Sequence, residues 1–309
     1  MSELEKTEAG CSLCPRSCGA LRAAGQIGYC GAGAALRVAR AGLHHWEEPP
    51  VSGTNGSGTV FFSNCPLRCV YCQNREISLG GWGIDIDTVR LSEIFLELAC
   101  QGAHNINLVT GTQYTIQIIE ALQAARAAGF DLPVIWNSSG YEDVATLSLL
   151  AGNVDAYLLD YRYSSSGLAA HYSTAPDYPV VAAAALAACL GQVGEYRLDE
   201  SGLLVSGVIV RFLLLPGQLE DAIKSVDKVF YLAGNAVCYS LLSQFTPFPG
   251  LADRYPELNG PIRGWDYDVL VDHVLNLDIK HSFMQAFDSA ASSYTPAFDL
   301  TGVLLDGLR

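Results

Sequence analysis

The chain of 309 residues carries little charge and contains no long apolar run. Charged residues make up only 16% of it and hydrophobic residues 50%, which excludes general disorder and favours a large buried core. The longest uninterrupted apolar run, Val180–Leu190, is far shorter than the roughly 20 residues that cross a bilayer. The N-terminal segment MSELEKTEAG has no apolar signal-peptide core. We therefore expect a cytoplasmic protein without a membrane partner.

Basic residues are scarce as well. The 18 lysines and arginines are outnumbered by 32 acidic residues, which gives a formal net charge of −14. Because a field of this sign repels the phosphate backbone, we expect no nucleic-acid partner. The length allows one large α/β domain or two smaller ones.

Cysteine, by contrast, is abundant and unevenly distributed. Seven of the ten cysteines lie within the first 72 residues, in tight clusters. Because cytosolic thiols stay reduced, such clusters indicate metal or iron–sulfur ligation rather than disulfides. Cys100, Cys189 and Cys238 stand alone in apolar stretches, so we expect all three to be buried packing residues.

From residue 59 onward, short apolar strands alternate with helical patterns. The predicted strands cover residues 59–64, 105–109, 133–137, 154–160, 207–215 and 236–245. The predicted helices lie near residues 91–102, 115–128, 142–151, 179–190, 219–232 and 267–276. This alternation predicts an α/β fold with a parallel sheet covered by helices, either an open doubly wound sheet or a full or partial barrel. Both arrangements bind ligands at the C-terminal ends of the strands.

The alternation divides the chain into three regions. Residues 1–58 form a cysteine-rich extension with little hydrophobic periodicity, for which a metal staple has a clear physical purpose. Residues 59–246 contain the six βα units. Residues 247–309 begin with a loop rich in proline and glycine and continue into a helical segment, which we expect to pack on the barrel.

A cysteine motif directly follows the first predicted strand. Cys65, Cys69 and Cys72 have the spacing C-x3-C-x2-C. Three thiolates on one short loop can hold one face of a [4Fe–4S] cube and leave a coordination position open for substrate. Tyr71 lies between the second and third cysteines, where its ring can pack under the cluster and a bound ligand. The alternative is a zinc knuckle that takes its fourth ligand from elsewhere.

A second cysteine motif lies in the N-terminal extension. Cys11, Cys14, Cys18 and Cys30 have the spacing C-x2-C-x3-C-x11-C. Four thiolates suffice for a tetrahedral zinc ion or for a closed iron–sulfur cluster, and the spacing does not distinguish the two. Zinc predicts a purely structural clamp, whereas a cluster predicts an electron relay or a second redox centre.

Charged residues within apolar or aromatic surroundings are further candidates. Arg211 lies in the apolar strand GVIVRFLLL, where a charge is costly unless it is paired. We therefore expect its side chain to point into a polar barrel interior and to belong to the site. The segment HHWEE at residues 44–48 could supply ligands, but no second pair at matching spacing accompanies it, so we expect a solvated loop.

Together these motifs resemble the radical SAM superfamily and, more narrowly, its branch related to pyruvate formate-lyase-activating enzyme. The likeness runs through CSLCPRSCG (11–19), EEPPVSGTNGSGTVFFSNCPLRCVYCQN (47–74), NSSGYEDVATL (137–147), VDAYLLDYRY (154–163) and IVRFLLLPGQLED (209–221). It covers nearly the whole chain and is specific for the family, although not for a substrate. The resemblance implies a partial (β/α)6, TIM-like barrel.

The resemblance also implies an activity. A [4Fe–4S] cluster on Cys65, Cys69 and Cys72 would bind S-adenosylmethionine (SAM) and cleave it reductively into methionine and a 5′-deoxyadenosyl radical, which abstracts hydrogen from a substrate. The electron would come from an external low-potential donor of the flavodoxin or ferredoxin type. The acceptor of the radical would be a glycyl radical enzyme, another protein or peptide, or a small molecule. A non-catalytic iron–sulfur or zinc protein is the alternative from another class.

Further SAM contacts follow from the family motifs at the strand ends. The usual glycine-rich motif after the second strand is replaced by Thr110-Gly111-Thr112, without a second glycine or a carboxylate. Asp160-Tyr161-Arg162 resembles an Asp-Leu-Lys element whose cation meets the SAM carboxylate, and arginine keeps that charge with a different geometry. The residues predicted to bind SAM are Tyr71, Thr110, Gly111, Thr112, Asn137, Ser139, Asp160, Arg162, Arg211 and Gln244.

Overall fold

A computed structural model describes residues 10–287 and 296–304. Its centre is a ten-stranded sheet. The strands are β1 (Leu36–His44), β2 (Ser57–Phe62), β3 (Ile84–Ile86), β4 (Ile106–Val109), β5 (Val134–Ser138), β6 (Ala156–Asp160), β7 (Arg197–Leu198), β8 (Leu204–Leu213), β9 (Cys238–Leu242) and β10 (Ser282–Met284). Their order in the sheet is β10-β9-β8-β6-β5-β4-β2-β1-β3, and β7 pairs with β8.

Helices connect most of the strands. The α-helices are α1 (Pro49–Ser52), α2 (Arg75–Ser78), α3 (Thr88–Cys100), α4 (Thr115–Ala127), α5 (Val144–Leu150), α6 (Ser166–Ser173), α7 (Tyr178–Val193), α8 (Leu219–Ala233) and α9 (Gly264–Leu275). Short 3-10 turns cover Arg22–Ala24, Thr112–Tyr114, Gly234–Ala236 and Pro256–Leu258. Asp87 begins α3, because its carboxylate accepts a hydrogen bond from the Arg90 backbone N–H at 2.7 Å.

The predicted βα repeat is present. The six predicted strands correspond to β2, β4, β5, β6, β8 and β9, and each runs parallel to its neighbour in this set. The six predicted helices correspond to α3, α4, α5, α7, α8 and α9, whereas α6 has no counterpart in the prediction. The α/β class and the partial barrel of mostly parallel strands are therefore confirmed.

The strands are continuously apolar because both of their faces are buried. In β5, Val134 and Trp136 belong to the cluster that the helices cover, and Ile135 belongs to the cluster inside the barrel. Val51 of α1 packs into that interior cluster from the N-terminal ends of the strands. The interior cluster consists of Val51, Ile135, Ala156, Leu158, Leu204, Ile209 and Cys238. The opposite, C-terminal ends of the strands carry Asp160, Arg211 and most of the other residues predicted for the site.

The sheet extends beyond the predicted repeat at both ends. β1 pairs antiparallel with β2, from Val38 opposite Phe62 to His44 opposite Ser57, so the sheet begins well before residue 58. At the other edge, β10 runs parallel to β9. The described part of the C-terminal region also pairs with β1, because the Ala41 N–H donates to the Thr301 carbonyl at 2.8 Å. The three-region division stays a prediction, but β1 belongs to the sheet rather than to a separate extension.

The alanine-rich run predicted as a helix forms α7 and packs on the sheet. Its buried side chains include Ala182, Ala185 and Leu186, and Cys189 is buried beside them, as expected. Cys238 is buried too, but the expectation for Cys100 is wrong, because the last residue of α3 is exposed to solvent. Among the described helices, none is by itself long and apolar enough to cross a bilayer, and the bent pair of α6 and α7, at 99°, meets that test only jointly.

We expect the turn after β5 to depend on a glycine. Gly140 has a φ of +78°, and a Cβ there would overlap the carbonyl oxygen of Asp160, whereas Gly152 has a φ of +77° and open space around it. Gly152→Ala should therefore cost only the left-handed strain of about 1–2 kcal/mol. Gly140→Ala should lower the free energy of unfolding by roughly 2 kcal/mol more, measured by denaturant titration. Equal losses in the two variants would contradict the close approach.

Candidate active site

A polar cavity of about 190 Å³ lies at the C-terminal ends of the parallel strands. Eleven of the thirteen residues predicted for the cluster and for SAM line this cavity. They are Cys65, Cys69, Tyr71, Cys72, Thr110, Asn137, Ser139, Asp160, Arg162, Arg211 and Gln244. The fold therefore brings together side chains from the C-terminal ends of six strands and the loops after them, as a parallel barrel allows.

The cysteine loop between β2 and α2 is tightly folded. Asn64 and Arg68 adopt left-handed backbone conformations, with φ of +72° and +56°. The Cys72 N–H donates to the Cys69 carbonyl at 3.2 Å, which closes a turn at the end of the motif. The Gln73 side-chain amide donates to the Gln244 carbonyl at 2.5 Å and ties the loop to the segment after β9. These contacts hold all three cysteines at the cavity wall.

Two of the three sulfur atoms accept hydrogen bonds from hydroxyl groups. The Ser173 hydroxyl donates to Cys69 Sγ at 3.1 Å, and the Ser78 hydroxyl donates to Cys72 Sγ at 3.3 Å. Burial and the neighbouring Cys69 raise the pKa of Cys65 to about 12. Hydrogen-bond donors of this kind stabilise thiolates and tune the potential of iron–sulfur centres.

The hydroxyl on Cys69 continues into a buried chain. The Ser173 hydroxyl lies 2.8 Å from the Tyr163 hydroxyl, which in turn lies 2.7 Å from the Tyr71 hydroxyl. Tyr71 is buried beneath the loop, and its ring packs edge-on against Phe245 at a centroid distance of 6.4 Å. The tyrosine inside the cysteine motif is therefore held in place from both its hydroxyl and its ring.

The donor set of the loop fits a site-open iron–sulfur cluster. It offers three thiols from one short loop, which is the ligand set that leaves one iron of a [4Fe–4S] cube without a protein ligand. A zinc knuckle would instead need four ligands at about 2.3 Å from a single ion. The loop itself supplies three thiols, so a zinc ion there would take its fourth ligand from another part of the chain.

A network of charged side chains lies below the cysteine loop. Arg211 pairs with Glu47 at 3.1 Å and with Asp160 at 3.0 Å, and it also donates to the Asn137 side-chain oxygen. Asp160 in turn pairs with Arg162 at 2.5 Å. The register explains this placement, because Asp160 of β6 lies directly opposite Arg211 of β8. Removing one partner of so buried a network costs about 3–5 kcal/mol.

The network keeps both arginines charged. Burial acts to lower the pKa of Arg211, but Asp160, Glu48 and Glu47 outweigh it and the pKa is raised. The pKa of Arg162 is also raised, because Asp160 outweighs the effect of burial. Arg162 Nε is buried and has no hydrogen-bond partner among the described residues. Arg162 thus lines the cavity and carries one buried donor that no described protein group satisfies.

The expectation of a solvated loop at residues 44–48 is confirmed for His45 and Trp46, which are exposed, but it is wrong for Glu47 and Glu48. The Glu47 side chain is 10% exposed and accepts hydrogen bonds from Asn107 at 2.9 Å and from Arg211. Glu48 is also buried, and neither of its carboxylate oxygens has a hydrogen-bond partner among the described residues. The reason is α1, which turns the chain under the barrel and directs Glu47 upward into it. In the sequence, the signal for this pairing is Arg211, because an arginine in an apolar strand needs a carboxylate from elsewhere in the chain.

Two of the predicted SAM contacts do not line the cavity. Gly111 packs against the ring of Trp136, which leaves 2.8 Å between that ring and a Cβ built on the glycine. The Thr112 hydroxyl donates at 2.7 Å to the buried carboxylate of Glu142. Within the Thr110-Gly111-Thr112 segment, only Thr110 reaches the cavity, with its backbone in the left-handed region at a φ of +60°. The structure gives a binding role for Gly111 and Thr112 no support.

The N-terminal cysteines lie outside this cavity but next to its cysteine loop. The Arg68 side chain, in the middle of the C-x3-C-x2-C motif, donates to the Cys30 carbonyl at 3.3 Å. Cys14 and Cys30 are buried, Cys11 is half-buried and Cys18 is exposed. The two cysteine motifs are therefore neighbours in the fold.

The sequence of the chain is similar to that of one uncharacterised protein. No family model matches the chain. An uncharacterised protein of Methanocaldococcus jannaschii, MJ0674, is 27% identical over 212 residues, which are 66% of this chain and 57% of that protein. The chain therefore spans little more than half of this relative.

Solved structures of Streptococcus suis SuiB resemble the chain at 13% identity. SuiB bound to S-adenosylmethionine has a TM-score of 0.48 over 72% of this chain and 48% of SuiB. SuiB bound to precursor peptide SuiA has a TM-score of 0.50 over 72% of this chain and 46% of SuiB. At this identity the likeness concerns the fold, and the chain spans about half of SuiB.

We expect Glu48 to make the protein less stable as the pH rises. Burial raises the pKa of Glu48, with Arg211 acting in the opposite sense. The folded state therefore holds this proton more tightly than the unfolded state, so the free energy of unfolding falls as the pH rises above the unfolded pKa of about 4.3. Glu48→Gln should reduce the loss of stability between pH 5 and pH 8 by about 1 kcal/mol or more.

Denaturant titrations at the two pH values measure this difference. The exposed Glu200 supplies a matched control, because Glu200→Gln removes the same charge from the surface. If Glu48→Gln and Glu200→Gln change the pH dependence equally, burial of Glu48 is not its cause.

Proposed function

We propose that the chain is a radical SAM enzyme that cleaves SAM reductively at a [4Fe–4S] cluster held by Cys65, Cys69 and Cys72. The observation that supports this most is the cavity, at which the three thiols of one C-x3-C-x2-C loop meet a layer of paired charges. SuiB, whose fold is similar, binds SAM and a precursor peptide. A cluster held by these thiols would supply the electron for reductive cleavage of the SAM sulfonium.

The charged layer supplies the groups that would bind the methionyl end of SAM. Arg162 is fixed on one side by Asp160 at 2.5 Å and keeps its Nε free of protein partners among the described residues. A carboxylate is the acceptor that such a guanidinium binds best. We assign Arg162 to the SAM carboxylate, and we assign Ser139 and Gln244, which also line the cavity, to the adenosine end.

Buried aromatic rings beside the cysteine loop would exclude water from the reaction. Tyr71, Tyr163 and Phe245 are buried, and Tyr71 packs edge-on against each of the other two rings, at centroid distances of 6.5 Å and 6.4 Å. A dry cavity limits the radical to the substrate that the cavity holds. The protein's own contribution is therefore orientation and shielding rather than acid–base chemistry.

We propose a glycyl radical enzyme as the acceptor of the radical, with a flavodoxin- or ferredoxin-like protein as the electron donor. This proposal rests on the resemblance to the activating enzymes. A peptide substrate is the second candidate, because SuiB has a similar fold and binds a precursor peptide. Electron paramagnetic resonance of a candidate glycyl radical enzyme, incubated with the reduced protein and SAM, separates the two: the glycyl radical signal appears only in the first case.

SAM cleavage is the test of the central proposal. Anaerobically reconstituted protein with dithionite should convert SAM to methionine and 5′-deoxyadenosine, measured by chromatography. Cys65→Ala, Cys69→Ala and Cys72→Ala should each abolish this conversion, because each removes one of the three cluster ligands. Cys100→Ala is the matched control, since this thiol is exposed at the end of α3 and far along the chain from the motif. Turnover that survives in any of the three variants would contradict the assignment.

The role of Arg162 has a separate test. Arg162→Ala should weaken SAM binding about tenfold or more, because a charge-assisted hydrogen bond contributes about 1.5–3 kcal/mol. Arg162→Lys should bind with intermediate affinity, since lysine keeps the charge but not the fork geometry. Equilibrium dialysis under anaerobic conditions measures both, with Arg254→Ala as a surface control. Unchanged affinity in Arg162→Ala, at equal iron content, would remove Arg162 from the site.

A further inference from the structure

The N-terminal segment before β1 is ordered without an apolar core. Within residues 10–35, the buried residues are small or contain sulfur, whereas Leu21, Ile27 and Tyr29 are exposed. The buried residues are Cys14, Ala20, Gly28, Cys30 and Ala32. Apolar burial on this scale does not offset the conformational entropy of some 25 ordered residues. Another interaction must hold the segment.

The backbone brings Cys11, Cys18 and Cys30 of this segment together, and Cys14 lies within electrostatic reach of Cys11 and Cys30. The Cys11 N–H donates to the Ala20 carbonyl and the Gly19 N–H donates to the Cys11 carbonyl, both at 3.0 Å, which brings the first cysteine beside the third. A Cβ built on Gly28 would lie 3.5 Å from the sulfur atoms of both Cys18 and Cys30. Thiols that are distant in sequence thus share one small region.

One backbone amide is already directed at this sulfur cluster. The Ala32 N–H donates to Cys30 Sγ at 3.4 Å, and the Arg22 guanidinium approaches Cys11 Sγ at 3.9 Å. Donors aimed at sulfur stabilise thiolates, which is the form that binds metals.

Arg16, inside the same motif, connects the segment to the active site. Its guanidinium donates to the carbonyls of Pro66 at 3.1 Å and Leu67 at 3.4 Å, both within the C-x3-C-x2-C loop. It also donates to the carbonyls of Ser173 at 2.8 Å and Thr174 at 2.6 Å. Ser173 is the residue whose hydroxyl donates to Cys69 Sγ. A single side chain therefore fastens the cysteine loop to the hydrogen-bond donor of its middle sulfur.

The connection is reciprocal. Arg68 of the cysteine loop donates back to the Cys30 carbonyl at 3.3 Å. The Tyr29 ring packs under Arg16, 4.4 Å from its guanidinium, and its hydroxyl lies 2.7 Å from the Thr174 hydroxyl. Each cysteine motif thus contributes an arginine that binds the backbone of the other.

We propose that Cys11, Cys14, Cys18 and Cys30 bind a metal centre through four thiolates, and that this centre holds Arg16 in place as a clamp on the Cys65–Cys72 loop. The shared chemistry is tetrathiolate ligation, by a zinc ion or by a closed iron–sulfur cluster. Each thiol loses its proton to solvent on binding, so no oxidant or reductant is needed for zinc. The described sulfur atoms do not surround one metal-ion position, so binding includes rotation of the thiol side chains toward the metal.

Metal content measured without the active-site cluster tests the first half. The full chain carrying Cys65→Ala, Cys69→Ala and Cys72→Ala, purified anaerobically, should retain a stoichiometric metal by elemental analysis. Zinc without sulfide identifies the ion, and iron with labile sulfide identifies the cluster. Adding Cys18→Ala should remove this metal, whereas adding Cys100→Ala should not. A metal-free triple variant that is folded by circular dichroism would overturn the proposal, as would a metal that survives Cys18→Ala.

A second measurement uses Cys18→Ala in a chain that keeps Cys65, Cys69 and Cys72, so its result does not depend on whether the triple variant folds. Cys18→Ala alone should lower the metal content by one zinc, or by the iron of one cluster, relative to Cys100→Ala. Equal metal contents in these two variants would also overturn the proposal.

Hydrogen exchange tests the clamp, which acts on the loop of the proposed function. Cys18→Ala and Arg16→Ala should both increase amide exchange in residues 65–72 roughly tenfold or more, and only Cys18→Ala should lose the metal. Arg254→Ala should change neither. Unchanged exchange in Arg16→Ala would overturn the clamp. Failure of SAM cleavage in the unsubstituted protein would instead contradict the proposed function and leave these metal and exchange results standing.

Discussion

The barrel depends on the pairing of one buried cation. Arg211 lies near the C-terminal end of β8. Glu47 from below and Asp160 from the neighbouring strand compensate its charge, and the Asn137 side-chain oxygen beyond Asp160 accepts a hydrogen bond from it. Because an uncompensated charge in this position is costly, these residues fix one another's positions. Asp160 in turn orients Arg162, so the network also sets the position of this side chain at the cavity wall.

The same network separates the barrel interior into layers. Below it lie the apolar side chains of the interior cluster, closed from beneath by Val51 of α1, together with hydrogen-bonded polar side chains such as Asn105 and Ser57. Above it lie the thiols, hydroxyls and aromatic rings of the cavity. The paired charges thus separate the packed interior from the cavity, which matches the division of TIM-like barrels into an N-terminal face that stabilises the fold and a C-terminal face that carries the site.

Most of the fold could be predicted from the sequence, because six strands that are buried on both faces leave continuous apolar runs separated by helical periodicity. The three cysteines of the candidate site could be predicted as well, because Cys65, Cys69 and Cys72 are neighbours in one loop. The sequence did not reveal β1, whose outward positions carry arginines and obscure the apolar alternation. It also did not reveal Glu47, which meets Arg211 across 164 residues of chain and sits beside histidines typical of a solvated loop.

The division between local and distant residues bears on specificity. A short loop can specify a metal site by itself when all the ligands and the turn lie within eight residues, so such a loop can serve many different reactions. The shape of the space beside the loop, however, is set by residues that only the whole fold assembles, such as Glu47, Arg211 and Gln244. The motif therefore predicts the type of chemistry, whereas the choice of substrate resides in contacts that no local spacing encodes. The N-terminal cysteines combine the two cases. They are close together in sequence, and Arg16, which lies among them, contacts the distant Cys65–Cys72 loop.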